Sequence, residues 1–263
     1  MDLNLTNKVA LVCASSQGLG KASAYELSKE GVKVIVCSRN EEKLKKAAEE
    51  ISQKTGNEVI AITADLANKE DIVNLVEDSQ KAFGSIDILV NNAGGPRPST
   101  FRDIEDNEWI EAINLTMMSV IRLTKLVLPG MIEQGSGRII NISSVSVKNP
   151  VPGLFLSNSI RMGVLGWAKA LSDEVAEHGI TVNTICPGHT KTERVEQILE
   201  NRIKQTGKSK EELEDQIAQN IPMKRVGQPE DLASLVSFLS SSKASYLTGL
   251  AIQVDGGSTR TFY

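Results

Sequence analysis

Val9-Ala10-Leu11-Val12-Cys13-Ala14-Ser15-Ser16-Gln17-Gly18-Leu19-Gly20 decides the reading of this chain. Five apolar residues in a row, followed by small and polar ones, predict a strand over 8–13 whose two faces are both covered. The glycines after it predict a tight turn and then a helix over 20–30. A strand that turns directly into a helix presents free backbone N–H groups and the positive end of a helix dipole. That arrangement is a seat for a pyrophosphate, with Ala14, Ser16, Gln17, Gly18, Leu19 and Gly20 as its candidate residues.

Outward from this turn the same alternation repeats. Strands are predicted over 33–38, 58–63, 86–91, 138–142, 181–186 and 251–254. Helices are predicted over 41–54, 69–83, 107–134 and 154–177, with another after Pro229. The 107–134 pattern places Trp109, Ile113, Val120, Leu123 and Val127 on one apolar stripe. Continuously apolar strands alternating with helices give an α/β fold: a doubly wound parallel sheet of about seven strands with helices on both faces. The whole chain, 1–263, reads as a single Rossmann-like domain. The charged segment 193–220 breaks the rhythm and reads as two helices split at Gly207, the second opened by a Ser209/Glu212 capping box. It is a candidate substrate lid or, equally, a solvated helical hairpin without function.

The second strand ends in Ser38-Arg39. Folds selective for NAD place an acid there to hold the ribose 2′-hydroxyl. An uncharged Ser38 removes that repulsion, and the planar fork of Arg39 suits a 2′-phosphate, so NADP(H) is favoured over NAD(H).

The bulk composition narrows the function classes. A chain of 263 residues with 40% hydrophobic and 24% charged residues can bury a sizeable core. A net charge of −4 gives no reason to expect nucleic acid or an anionic membrane as partner. Cys13, Cys37 and Cys186 lack the spacing of a zinc site or a disulfide framework, so no metal is expected. The N-terminus lacks a basic, apolar leader, and no stretch reads as the roughly 18 apolar residues of a membrane span; a cytoplasmic protein is expected.

Further stretches carry a resemblance. Asn91-Asn92-Ala93-Gly94 ends the fourth strand, and Asp65-Leu66 follows the third. Pro187-Gly188 with Thr192 follows the sixth, and the tail runs Arg225-Val-Gly-Gln-Pro-Glu-Asp-Leu-Ala, Leu247-Thr-Gly and Val254-Asp-Gly-Gly. Together, from about Leu5 to Ser258, the chain resembles the short-chain dehydrogenase/reductase family and its 3-oxoacyl-carrier-protein reductase-like branch. The resemblance implies that Asn92, Ala93 and Gly94 lie beside the adenine ribose, Asp65 and Leu66 at the adenine, and Pro187, Gly188 and Thr192 around the nicotinamide carboxamide. The family's Thr-Gly-x-x-x-Gly-x-Gly falls on Cys13, Ala14, Gly18 and Gly20. Alanine can replace that first glycine only where the turn needs no positive φ. A homo-oligomer, a tetramer pairing through the two long helices, is also implied.

The resemblance places four catalytic positions at Asn114, Ser144, Ser157 and Arg161. The first two match the family; the last two stand where its tyrosine and lysine belong. A serine hydroxyl is a poor acid at neutral pH, and an arginine stays protonated. Three readings follow. The chain is an active reductase of a carbonyl or alcohol, with Ser144 and Arg161 holding the oxyanion and water, Lys148 or His189 supplying the proton. It is an NADP-binding pseudoenzyme acting as a sensor or assembly partner. Or it runs another reaction with the bound nucleotide.

Overall fold

The computed structural model describes residues 2–193, 195–196, 199, 203 and 207–261. Seven parallel strands form one sheet: β1 (Val9–Val12), β2 (Lys33–Ser38), β3 (Val59–Thr63), β4 (Ile88–Asn91), β5 (Gly137–Ile142), β6 (Ile180–Pro187) and β7 (Ala251–Val254). Their spatial order is β3-β2-β1-β4-β5-β6-β7. Chain order therefore reverses between β1 and β4, which opens a crevice at the carboxyl ends of those strands.

Alternate residues of each strand serve opposite cores. Ala10, Val12, Val34 and Val36 meet Ala24 and Leu27 of α1 (Gly18–Lys29), Leu44 and Ile51 of α2 (Glu41–Thr55), and Leu232, Val236 and Leu239 of a late helix, Pro229–Ser240. Leu11, Ile35, Leu89 and Ile139 meet Ile72 and Leu75 of α3 (Lys69–Phe83), Leu123, Val127 and Met131, and Ala168 and Val175 of α6 (Phe155–Val175). This two-sided burial is why the strands read as unbroken apolar runs.

The helix expected over 107–134 is a composite. It comprises α4 (Asp106–Ile113), a π-helical turn (Asn114–Met118) and α5 (Ser119–Gln134). The widened turn is closed by the Ser119 N–H donating to the Asn114 carbonyl. It also rotates the two halves out of register, so the predicted stripe does not hold: Val120, Leu123 and Val127 are buried, whereas Ile113 is exposed. Trp109 belongs instead to a separate small cluster with Ala112, Met117, Leu156 and Ile160. The composite helix 106–134 is also long and apolar enough to cross a membrane by length and composition, contrary to the sequence expectation. In the fold its apolar side is partly spent on the sheet through Val120, Leu123, Val127 and Met131.

Within 193–220, Gly207 has a φ of +70°. The second helix, α7 (Lys210–Gln219), carries the expected capping box: Ser209 Oγ accepts from Glu212 N at 3.1 Å, and Glu212 Oε2 accepts from Ser209 N at 2.8 Å. Most of 194–206 lies outside the described residues, as does Tyr263. The Pro229–Ser240 helix, numbered α8, starts with proline at its first turn, as expected.

Leu89 sits at the centre of the sheet with no solvent exposure. Leu89→Ala is expected to lower stability by about 3 kcal/mol through lost burial and a cavity that the fixed strands do not fill. A urea titration should show a lower midpoint at unchanged slope.

Candidate active site

A cleft of about 810 Å³ opens at the carboxyl ends of the strands. Its nucleotide end is built from the turn after β1. Ser15 ties that turn to β2: its backbone N–H donates to the Cys37 carbonyl at 3.0 Å, and its Oγ accepts from Cys37 N at 3.0 Å. Asn92 braces the turn from β4, its Nδ2 donating to the carbonyls of Cys13 and Ala14 at 3.3 and 3.4 Å. Gly20 lies beneath the turn, where a Cβ would collide with the Ala14 carbonyl. It supports the seat without lining it. Ala14, Ser16, Gln17, Gly18 and Leu19 do line the cleft.

The condition set for alanine at the first glycine position fails. Ala14 has a φ of +46°, in the left-handed region that costs a side chain about 1–2 kcal/mol. The turn needs positive φ, and the alanine adopts it because the Ser15 and Asn92 hydrogen bonds hold the backbone on both sides.

The remaining residues that the sequence reading assigns to the nucleotide share this cleft. Ser38, Arg39, Asp65, Leu66, Asn92, Ala93, Gly94, Pro187, Gly188 and Thr192 all line the cleft. Asn40 and Lys43 line it too, so two cations converge at the end of β2. Lys43 escaped the sequence reading, although its place four residues after Arg39, in the first turn of α2, is legible. Neither Glu41 nor Glu42 is among the lining residues. Glu41 pairs with Lys45, whose ammonium lowers its pKa. Thr192 lies close over Gly18, so the segment after β6 approaches the turn that follows β1.

At the other end Ser144, Ser157 and Arg161 come together in the same cleft. Arg161 Nε donates to Ser157 Oγ at 3.2 Å, and its Nη1 donates to the Ile142 carbonyl at 3.3 Å. Ser144 Oγ accepts from Ser146 N at 3.1 Å, capping a short 3-10 turn. Each hydroxyl thus accepts from an N–H and keeps its own hydrogen to donate elsewhere. Cys186 adjoins the group, but burial raises its thiol to about 11, so it is a neutral thiol and no nucleophile at neutral pH.

Three expected participants are not among the residues that line the cleft. Asn114 does not line the cleft; its Oδ1 accepts from Arg122 Nη2 at 3.2 Å, and its carbonyl serves the π turn. A polar side chain inside a helix needs a partner, and Arg122 supplies it. Lys148 and His189 are likewise absent from the lining residues.

Residues 13–259 match the family described as enoyl-(acyl carrier protein) reductase. The chain is 37% identical to the 3-oxoacyl-[acyl-carrier-protein] reductase FabG of Haemophilus influenzae, covering 96% of this chain and 98% of that protein. It is 33% identical to the NADPH-dependent reductase BacG of Bacillus subtilis, over 98% of this chain and 100% of the relative. Among solved structures it superposes on L-sorbose reductase from Gluconobacter frateurii, complexed with NADPH and L-sorbose, with a TM-score of 0.96. That likeness comes at 33% identity and covers 100% of both chains. The chain belongs to the short-chain dehydrogenase/reductase family.

Ala14→Gly relieves the left-handed strain but enlarges the unfolded ensemble, so the expected net gain is under about 1 kcal/mol. Calorimetry should show Tm rising by about 2 °C. A fall in Tm would mean that Ala14 is not strained.

Proposed function

We propose that this chain is an NADPH-dependent reductase of a small carbonyl compound, working reversibly between carbonyl and alcohol. The observation that carries the reading is that the turn after β1, the Arg39/Lys43 pair and the Ser144/Ser157/Arg161 group all line one cleft. The relatives support it: the names or structures of BacG and of the L-sorbose reductase specify NADPH.

The residues fit that cofactor. Ser16 to Leu19, at the amino end of α1, would hold the pyrophosphate, and Ser38, Arg39 and Lys43 the 2′-phosphate. Asp65 and Leu66 would lie at the adenine, Asn92, Ala93 and Gly94 at its ribose, and Pro187, Gly188 and Thr192 at the nicotinamide; all line the cleft. When bound, NADPH supplies the hydride.

The chain's own residues handle the substrate oxygen. Ser144 and Ser157 donate hydrogen bonds to it, and Arg161 sets a permanent positive charge behind Ser157 as negative charge develops. Neither serine nor arginine gives up a proton readily at neutral pH, so the proton comes from water in the cleft. Asn114 acts through the π turn and Arg122 rather than by touching substrate.

Three assignments complete the proposal. The segment 193–220 serves as a lid, supported by the Lys191–Glu214 and Lys210–Glu196 ion pairs that tie α7 to the segment after β6. The assembly is a homotetramer formed through the outer faces of α4–α5 and α6, which expose Ile110, Ile132, Phe155 and Met162. The compartment is the cytoplasm, which suits three buried, unpaired cysteines.

Arg39→Ala should weaken NADPH binding by about tenfold and leave NADH nearly unchanged, read by calorimetry, because only the 2′-phosphate needs the guanidinium. Equal losses for both would remove Arg39 from that role. Arg161→Ala should reduce kcat by about 100-fold, and Ser157→Ala by less, in an NADPH-oxidation assay across a ketone panel. If the wild type is silent on the panel while Ser157→Tyr/Arg161→Lys turns over, the reductase proposal fails and only nucleotide binding survives.

A further inference from the structure

Beside the cleft lies a small cavity of about 10 Å³, the room needed by one water molecule. It is bounded by β4, β5, the π turn and α6, and it shares Asn92, Ala93, Ile142, Ser143 and Arg161 with the cleft. Four of its lining residues carry a buried polar atom without a protein partner: Asn91 Oδ1, Thr116 Oγ1, Asn141 Nδ2 and Ser143 Oγ. All four residues are at least nine-tenths buried, with exposures of 1%, 4%, 1% and 7%. Buried polar groups in folded proteins are almost always satisfied, so four orphans around one small void require an explanation.

Their chemistry supplies one. An amide oxygen only accepts, an amide nitrogen only donates, and each hydroxyl does either. A single water molecule has two hydrogens to give and two lone pairs to offer. It can donate to Asn91 Oδ1 and one hydroxyl while accepting from Asn141 Nδ2 and the other. Asn91 and Asn141 are already fixed in the required sense, because Asn91 Nδ2 donates to Asn141 Oδ1 at 2.9 Å. That bond uses one polar atom of each amide and leaves the other for the cavity.

We infer that this cavity is an integral one-water site that joins the π turn, through Thr116, to the asparagine pair of the sheet and to Ser143. The widened turn at 114–118 then has a purpose beyond closing the helix, since it carries Thr116, one of the water's four partners. The bound water is part of the wall from which Ser144 and Arg161 face the substrate. The site does not rest on the reductase reading, and its test needs no turnover.

Thr116→Val replaces the hydroxyl by a methyl at nearly constant shape, and the sign of its effect separates a wet cavity from a dry one. With water bound, the variant removes one of four hydrogen bonds, and Tm should fall by a few degrees, while Thr116→Ser, which keeps the hydroxyl, should lose less. An unchanged or raised Tm for Thr116→Val means that the hydroxyl was unpaired in a dry void and overturns the inference. A high-resolution crystal structure of the wild type should place one ordered water within hydrogen-bond distance of all four groups. The absence of ordered density there overturns the inference whatever the thermal result.

Discussion

The constraint on which the rest of the structure depends is the approach of helix α1 to the carbonyl of Ala14. Gly20 permits it by having no side chain, and Ala14 accepts a left-handed conformation to meet it. The geometry aims the amino end of α1 at the crevice between β1 and β4, the one place where the strand order reverses. Asn92 reaches from β4 to the same carbonyl, so the two strands flanking the crevice are fixed to each other through the turn. Moving that turn displaces one wall of the cleft that also holds Arg39, Lys43, Ser144 and Ser157.

At the reacting end the fold keeps the frame and changes the chemistry. A tyrosine beside a lysine is a proton donor with a tuned pKa; a serine beside an arginine is a hydrogen-bond donor beside a fixed charge. The Ser157–Arg161 contact, one helical turn apart on α6, preserves the ability to stabilise an oxyanion without the ability to deliver a proton quickly. The pH dependence of such a site follows from substrate, cofactor and solvent rather than from these two side chains, since neither titrates near neutrality.

Most of the fold was legible because the strands announce themselves: each has an apolar centre, and most are followed by a helix with a recognisable start. The residues that line the cleft around the turn after β1 were legible for the same reason, since strand ends and glycines mark them. What escaped the sequence depends on angles that a period of 3.6 does not encode. The π turn at 114–118 has ordinary helix-compatible residues, yet it breaks the stripe from Trp109 to Val127 and takes Asn114 away from the cleft. Whether the turn at Ala14 needs a positive φ could not be read from the sequence, because residue type alone does not set φ. Lys43 reaches the cleft only because α2 begins where it does, with Asn40 accepting from the Lys43 N–H at 2.9 Å.

The polar row across the strand ends connects these observations. Asn91 of β4, Asn141 of β5 and Thr184 of β6 are neighbours in the parallel register, so they stand on one face of the sheet. On a surface that is otherwise Leu, Ile and Val, burying three polar side chains destabilises unless they are satisfied. They lie where the apolar core meets the reactive end of the cleft, and hydrogen bonding at that boundary provides what dispersion contacts do not: a fixed direction. Asn91 and Asn141 hold each other in a single orientation, and Ser143 to Ser146 continue directly from β5 into the turn capped by Ser144. The Asn91–Asn141 hydrogen bond therefore fixes the side chains at the ends of β4 and β5, next to the strand end from which Ser143 and Ser144 enter the cleft.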